Sequence, residues 1–72
     1  MTKIFSYDEG QVLVTSTMEA LGDKPFLCEV QHRGFPTKAY MVEATYPLNA
    51  AQEALDNFKA EHKLNPSTAW SL

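Results

Sequence analysis

The stretch PFLCEVQHRGFPTKAYMVEA, Pro25–Ala44, decides how this chain folds. Phe26, Cys28 and Val30 alternate with Leu27, Glu29 and Gln31, and further on Tyr40, Val42 and Ala44 alternate with Ala39, Met41 and Glu43. A period of two sends the two sets to opposite faces of an extended strand. Between the runs, Arg33-Gly34-Phe35-Pro36 supplies the Gly and Pro of a hairpin turn. Residues 26–32 and 37–45 are therefore predicted as an antiparallel pair with one apolar face.

C-terminal to the pair the period changes to that of a helix. AAQEALDNFKAEHK, from Ala50 to about Lys63, consists of strong helix formers without Gly or Pro. Asn49 is placed as N-cap and Gln52 as the reciprocal partner of a capping box. Ala51, Ala54, Leu55, Phe58 and His62 share one face; Glu53, Asp56, Asn57, Lys59, Ala60 and Lys63 take most of the rest. Pro47 and Asn65-Pro66 punctuate the two ends. STAWSL then alternates, with Thr68, Trp70 and Leu72 to one side, and is predicted to return as a final strand.

N-terminal to the pair, KIFSY and QVLVTS are β-rich, and Asp8-Glu9-Gly10 reads as a short loop with Gly10 placed for a left-handed conformation. MEALGDKP is either one helical turn or a connection. The whole reads β-β-β-β-α-β. The expected fold is α+β: an antiparallel sheet of four to five strands with one helix packed on one face, in a single domain over residues 1–72. Its expected core takes Ile4 or Phe5 with Val12, Val14, Phe26, Cys28, Val30, Tyr40, Val42, Leu55, Phe58 and Trp70. That is near the minimum for a chain of 72 residues.

Composition narrows the function. A hydrophobic fraction of 44% with 21% charged residues is that of a folded chain. The net charge of −3 has the same sign in both halves, and the six cations are dispersed along the chain, which argues against a nucleic-acid binder with a clustered basic face. One Cys forms no internal disulfide, MTKIFSYDEG lacks the apolar core of a signal peptide, and no apolar run approaches a membrane span. The chain is expected to be cytoplasmic, with no membrane partner.

No motif for catalysis, metal or cofactor emerges, so the reading is non-enzymatic. Cys28 and His32 share a strand face but lie about 13 Å apart at the usual rise, too far to share one ion. Cys28 reads as a small core hydrophobe. The pairs Asp8-Glu9 and Glu53/Asp56 fall in a turn and on a solvated helix face, where nothing separates the pKa values of two acids. Two sets of binding residues remain. On the sheet face opposite the helix, Leu13, Leu27 and Met41, with Phe5 and Tyr7 as further candidates, form an exposed apolar group. Acidic Glu53, Asp56 and Glu61 give the helix a second docking face. These six residues, Leu13, Leu27, Met41, Glu53, Asp56 and Glu61, are the expected contacts with a larger protein or complex. The weaker alternative is a nucleic-acid module using Lys24, Arg33, Phe35 and Lys38 around the 32–38 loop. A homodimer that covers the free face is a third reading, and an open strand edge offers pairing with a partner strand.

The segment YMVEATYPLNAAQEALDNFKAEHKLNPSTAWSL, Tyr40–Leu72, runs strand, polar break, helix of the EAL…F…H kind, Asn-Pro turn and closing strand. In this layout it resembles small inhibitor proteins encoded by phages and mobile elements, of the anti-CRISPR and RNA polymerase inhibitor kinds. The resemblance is one of architecture over less than half of the chain and assigns no residue a role. It implies a protein that acts by occupying a surface of host machinery. The arm-binding domain of phage integrases is similar in placing three strands on a helix, but that family is basic and this chain is acidic.

Overall fold

A computed structural model of the chain describes residues 2–16 and 25–71. Lys24, Leu72 and the choice between helical turn and connection at 18–24 lie outside the described residues. Strands β1 (Thr2–Tyr7), β2 (Gly10–Ser16), β3 (Pro25–His32) and β4 (Lys38–Glu43) are followed by helix α1 (Pro47–Glu61) and strand β5 (Trp70–Ser71). The sheet has five antiparallel strands in the order β4-β3-β2-β1-β5. The first four strands are sequential neighbours, and the helix lies over one face, against β2, β3 and β4 and also touching β1. The α+β arrangement expected from the periodicities is the one observed.

Register follows from alternation. Val12 faces Val30, Val14 faces Cys28, and Phe26 faces Val42, so each apolar set from one strand meets that of the next. These six are buried beneath Ala50, Ala51, Ala54, Leu55 and Phe58 of the helix. Three small alanines bring the helix backbone close to the sheet, while Leu55 and Phe58 fill the remaining depth. Each large apolar side chain so buried contributes about 1.5–3 kcal/mol.

The strand β1 resolves one open assignment and corrects another. Phe5 faces Val12 and packs on the core, whereas Ile4 faces Leu13 on the opposite side and is 58% exposed. Tyr7, two residues beyond Phe5, is also on the helix side and is buried. Phe5 and Tyr7 therefore do not belong to the bare face. Tyr7 donates its hydroxyl to the Gln31 carbonyl at 3.0 Å, which satisfies its polar end inside the core. Burial, followed by the nearby Glu9 charge, pushes its pKa up to about 12.

Both helix ends differ from expectation. The helix begins at Pro47, with Tyr46 as an extended N-cap (φ −125, ψ 149) that makes no side-chain capping bond. Asn49 already lies inside the first turn, so no capping box with Gln52 forms. The physical reason is that Pro at the first helical position lacks an N–H that would be unpaired there anyway, and its φ is preset. At the other end the helix stops at Glu61 rather than Lys63. Lys63 takes a left-handed φ of 56, its N–H reaches the Ala60 carbonyl, and the Leu64 N–H reaches the Lys59 carbonyl at 2.8 Å. This is a Schellman ending with lysine where glycine is usual, held by Leu64 packing on the core.

Two further expectations are corrected. Gly10 is not left-handed; Gly34 (φ 85) is the glycine with positive φ among the described residues. Gly10 is instead required by a close approach, since a Cβ there would stand 1.9 Å from the Gln31 carbonyl oxygen. Lys59, assigned to the solvated helix face, is only 3% exposed. Its ammonium donates to the Ser67 carbonyl at 3.0 Å and to Thr68 Oγ1 at 2.7 Å, and lies 5.8 Å from the Tyr7 ring centroid. A buried cation thus pins the segment that returns the chain to β5.

Candidate protein-binding surface

The sheet face turned away from the helix is built by the other half of the alternation. Its register rows are Thr2–Thr15–Leu27–Met41 and Ile4–Leu13–Glu29–Ala39. Ile4 is thus directly opposite Leu13, and Leu27 directly opposite Met41, with Leu13 and Leu27 one row apart on neighbouring strands. The four side chains make a diagonal apolar stripe from β1 to β4. Met41 is 61% exposed, Ile4 nearly as much, and Leu13 and Leu27 are half-buried. No described element covers them. Each side chain of the stripe stands on a strand whose other face is turned to the core.

The expected contacts Leu13, Leu27 and Met41 are therefore brought together, and Ile4 joins them. Ile4 was readable in principle: Phe5 and Tyr7 share a parity in TKIFSY, and two aromatics in phase mark the core side of β1.

The acidic trio is not brought together with the stripe. Glu53 and Asp56 are exposed on the helix, on the far side of the sheet from Leu27 and Met41. Glu61 is tied down within the fold. It accepts a short hydrogen bond from the Tyr40 hydroxyl and faces Lys38 Nζ at 3.6 Å, joining the helix end to β4. The hydrogen bond from Tyr40 and the positive charge of Lys38 hold the Glu61 carboxyl below its ordinary range. Tyr40 is pushed up to about 12 by burial and by the same carboxylate. Glu61 is a brace more than a free acid.

The residues of the 32–38 loop serve the fold as well. The Arg33 N–H donates to the Glu9 carbonyl at 2.9 Å, and its guanidinium reaches the Asp8 carbonyl at 3.4 Å, so one turn braces the other. Phe35 does not stand free to stack on a base. It packs edge-on against Phe58 with centroids 5.6 Å apart and against the His62 ring at 4.5 Å. His32 stacks on Phe58 at 5.6 Å and meets Tyr7 at 5.9 Å, and Tyr7 meets Trp70 edge-on at 5.6 Å. This aromatic row closes the turn end of the core, and contiguity of rings so far apart in sequence had no signal in the sequence. Lys38 is paired with Glu61.

Other chemistry is sparse. Beside the two turns lies an open groove of about 490 Å³ lined by Tyr7, Asp8, Glu9, His32, Arg33 and Phe35 among others. Cys28 is fully buried, and burial together with the Glu53 charge pushes its thiol up to about 11, which keeps it protonated and unreactive at neutral pH. Among the described residues no group of three or more His, Cys, Asp or Glu could hold a metal ion. No described helix is long and apolar enough to cross a membrane.

Comparison with protein-family models, with curated proteins and with solved structures finds no match to the chain.

Proposed function

We propose that this chain is a small, non-enzymatic, cytoplasmic interaction protein that binds a larger protein or complex through its bare sheet face and modulates it sterically. The observation that carries this reading is the stripe Ile4–Leu13–Leu27–Met41, which crosses four strands with no described element laid over it. Contiguous exposed apolar side chains on a rigid surface mark interaction sites more often than scattered ones do. The layout it resembles, that of phage-encoded inhibitors, fits a protein that works by occupying a surface. The loop residues Arg33, Phe35 and Lys38 are engaged within the fold, which weighs against the nucleic-acid alternative.

The test is affinity capture from bacterial lysate with and without nuclease, using the native chain and a Leu27→Asp/Met41→Asp variant of verified fold. A protein held by the native chain after nuclease, and lost by the variant, is the expected result. Recovery that disappears with nuclease would transfer the site to nucleic acid. Equal capture by both chains would move it off the sheet face.

A further inference from the structure

We propose that the partner segment seated on the bare face is basic and amphipathic: an apolar ridge flanked by Lys or Arg side chains. This rests on the reading of that face as a protein-binding surface and specifies what the surface selects.

The argument is the distribution of charge between the two faces. Five cationic side chains lie among the described residues, and none is on the bare face. Lys3 is paired with Val14 and Lys38 with Val30, both core residues, so both project on the helix side. Lys59 is a buried residue of the helix itself, and Lys63 follows the helix end. Arg33 is in the turn, held on the Asp8 carbonyl. The bare face carries Glu29 and Glu43 instead. Glu29 shares its row with Ile4 and Leu13, and Glu43 stands opposite Pro25.

Their placement is as informative as their sign. Glu29 is two residues beyond Leu27 on β3, and Glu43 is two beyond Met41 on β4. Because β3 and β4 run antiparallel and Leu27 faces Met41, the two carboxylates flank this apolar pair from opposite sides, each about 6–7 Å along its strand. Neither is in an ion pair within the fold among the described residues. An apolar contact bordered on both sides by unanswered anions is complementary to a ridge bordered by cations.

The same distribution argues against the other occupants. A second copy packed through this face would bring Glu29 and Glu43 against the same two carboxylates with no cation of the described residues between them. Like charges so juxtaposed are costly once water is excluded. A phosphate backbone would meet the same repulsion.

The test uses two synthetic amphipathic peptides with the same Leu-rich face, one flanked by Lys and one by Glu, titrated into the isotope-labelled chain by NMR. The Lys-flanked peptide is expected to shift the amides of Leu13, Leu27, Glu29, Met41 and Glu43, with an affinity that falls as salt rises. Glu29→Lys with Glu43→Lys, surface changes that leave the core untouched, should weaken it about tenfold and favour the Glu-flanked peptide. Equal binding of both peptides at this face, indifferent to the reversal, would overturn the charge inference and leave the docking reading standing. Binding of neither, or shifts confined to other surfaces, would overturn both. Sedimentation showing a dimer that Met41→Asp dissolves would assign the face to a second copy and also overturn the inference.

Discussion

The two faces of this sheet are made by the same strands, residue by residue in alternation, and yet they are different kinds of surface. On the helix side Val12, Val14, Cys28, Val30 and Val42 are sealed from water, and the polar groups among them are answered: Tyr7 by a carbonyl, Lys59 by Ser67 and Thr68. On the other side Ile4, Leu13, Leu27 and Met41 stand in line without a cover among the described residues, and Glu29 and Glu43 stand beside them with no ion-pair partner among those residues. The contrast teaches that apolar character alone does not tell core from contact surface. What separates them is whether a second layer exists to bury the side chains and pair the charges.

The sharpest way to break the comparison is to truncate one residue on each side. Phe58→Ala should cost about 3–5 kcal/mol, a large part of the roughly 4–10 kcal/mol available to a chain of this size. Met41→Ala should stay within about 0.5 kcal/mol in the same urea titration. Comparable losses would mean that the bare face is packed against something and the contrast is false.

A smaller effect tests the buried charge. Lys59→Met keeps the apolar stem but leaves the Ser67 carbonyl and Thr68 hydroxyl without their donor, at an expected cost of about 1–3 kcal/mol. Trp70 emission should shift to the red as β5 loosens from β1. A neutral result would show that water replaces the ammonium and that the return segment is held by other contacts.

The helix ending sets a smaller effect of opposite sign. Lys63 pays the left-handed penalty that glycine avoids, so Lys63→Gly should raise stability by up to about 1 kcal/mol. Any loss in thermal unfolding would mean that the lysine side chain contributes more than its backbone costs.

The pH response is the mildest and separates two braces. Tyr7 and Tyr40 are raised from 10.0 to about 12, so the stability gained by keeping them neutral is whole below pH 10 and is lost as pH rises through 12. An ultraviolet titration should show Tyr7 and Tyr40 ionising late, with one late step removed by Tyr7→Phe and the other by Tyr40→Phe. Glu61 acts with the reverse sign: its lowered pKa contributes above 4.5 and fades as pH falls through the folded value. Glu61→Gln should therefore flatten the acid side of the stability curve slightly, and an unchanged acid limb would deny the brace.

Much of this was legible beforehand, for local reasons. The alternation in PFLCEVQH and TKAYMVEA marked the hairpin and most of the core, and the run AAQEALDNF marked the helix. The bare-face residues Leu13, Leu27 and Met41 followed from the same parity. The misreadings cluster where a residue's fate depends on a distant neighbour. Lys59 looked solvated because its acceptors sit eight and nine residues on, beyond the helix end. Gly10 looked like a turn residue because the Gln31 carbonyl that excludes a side chain comes from another strand. Glu61 looked like a free acid because Tyr40 and Lys38 reach it from β4.

By itself, then, the order of amino acids determined which segments extend, which one coils, and which parity of each strand seeks the interior. Those are preferences of neighbouring residues along one chain, and periodicity displays them directly. Tertiary structure decided the rest. It aligned Ile4, Leu13, Leu27 and Met41 in one stripe, put every described cation elsewhere, and gathered the rings of Trp70, Tyr7, His32, Phe35, Phe58 and His62 at one end of the core. Register between strands and the seating of the helix bring together residues that are remote in sequence, and local preference carries no information about such distances.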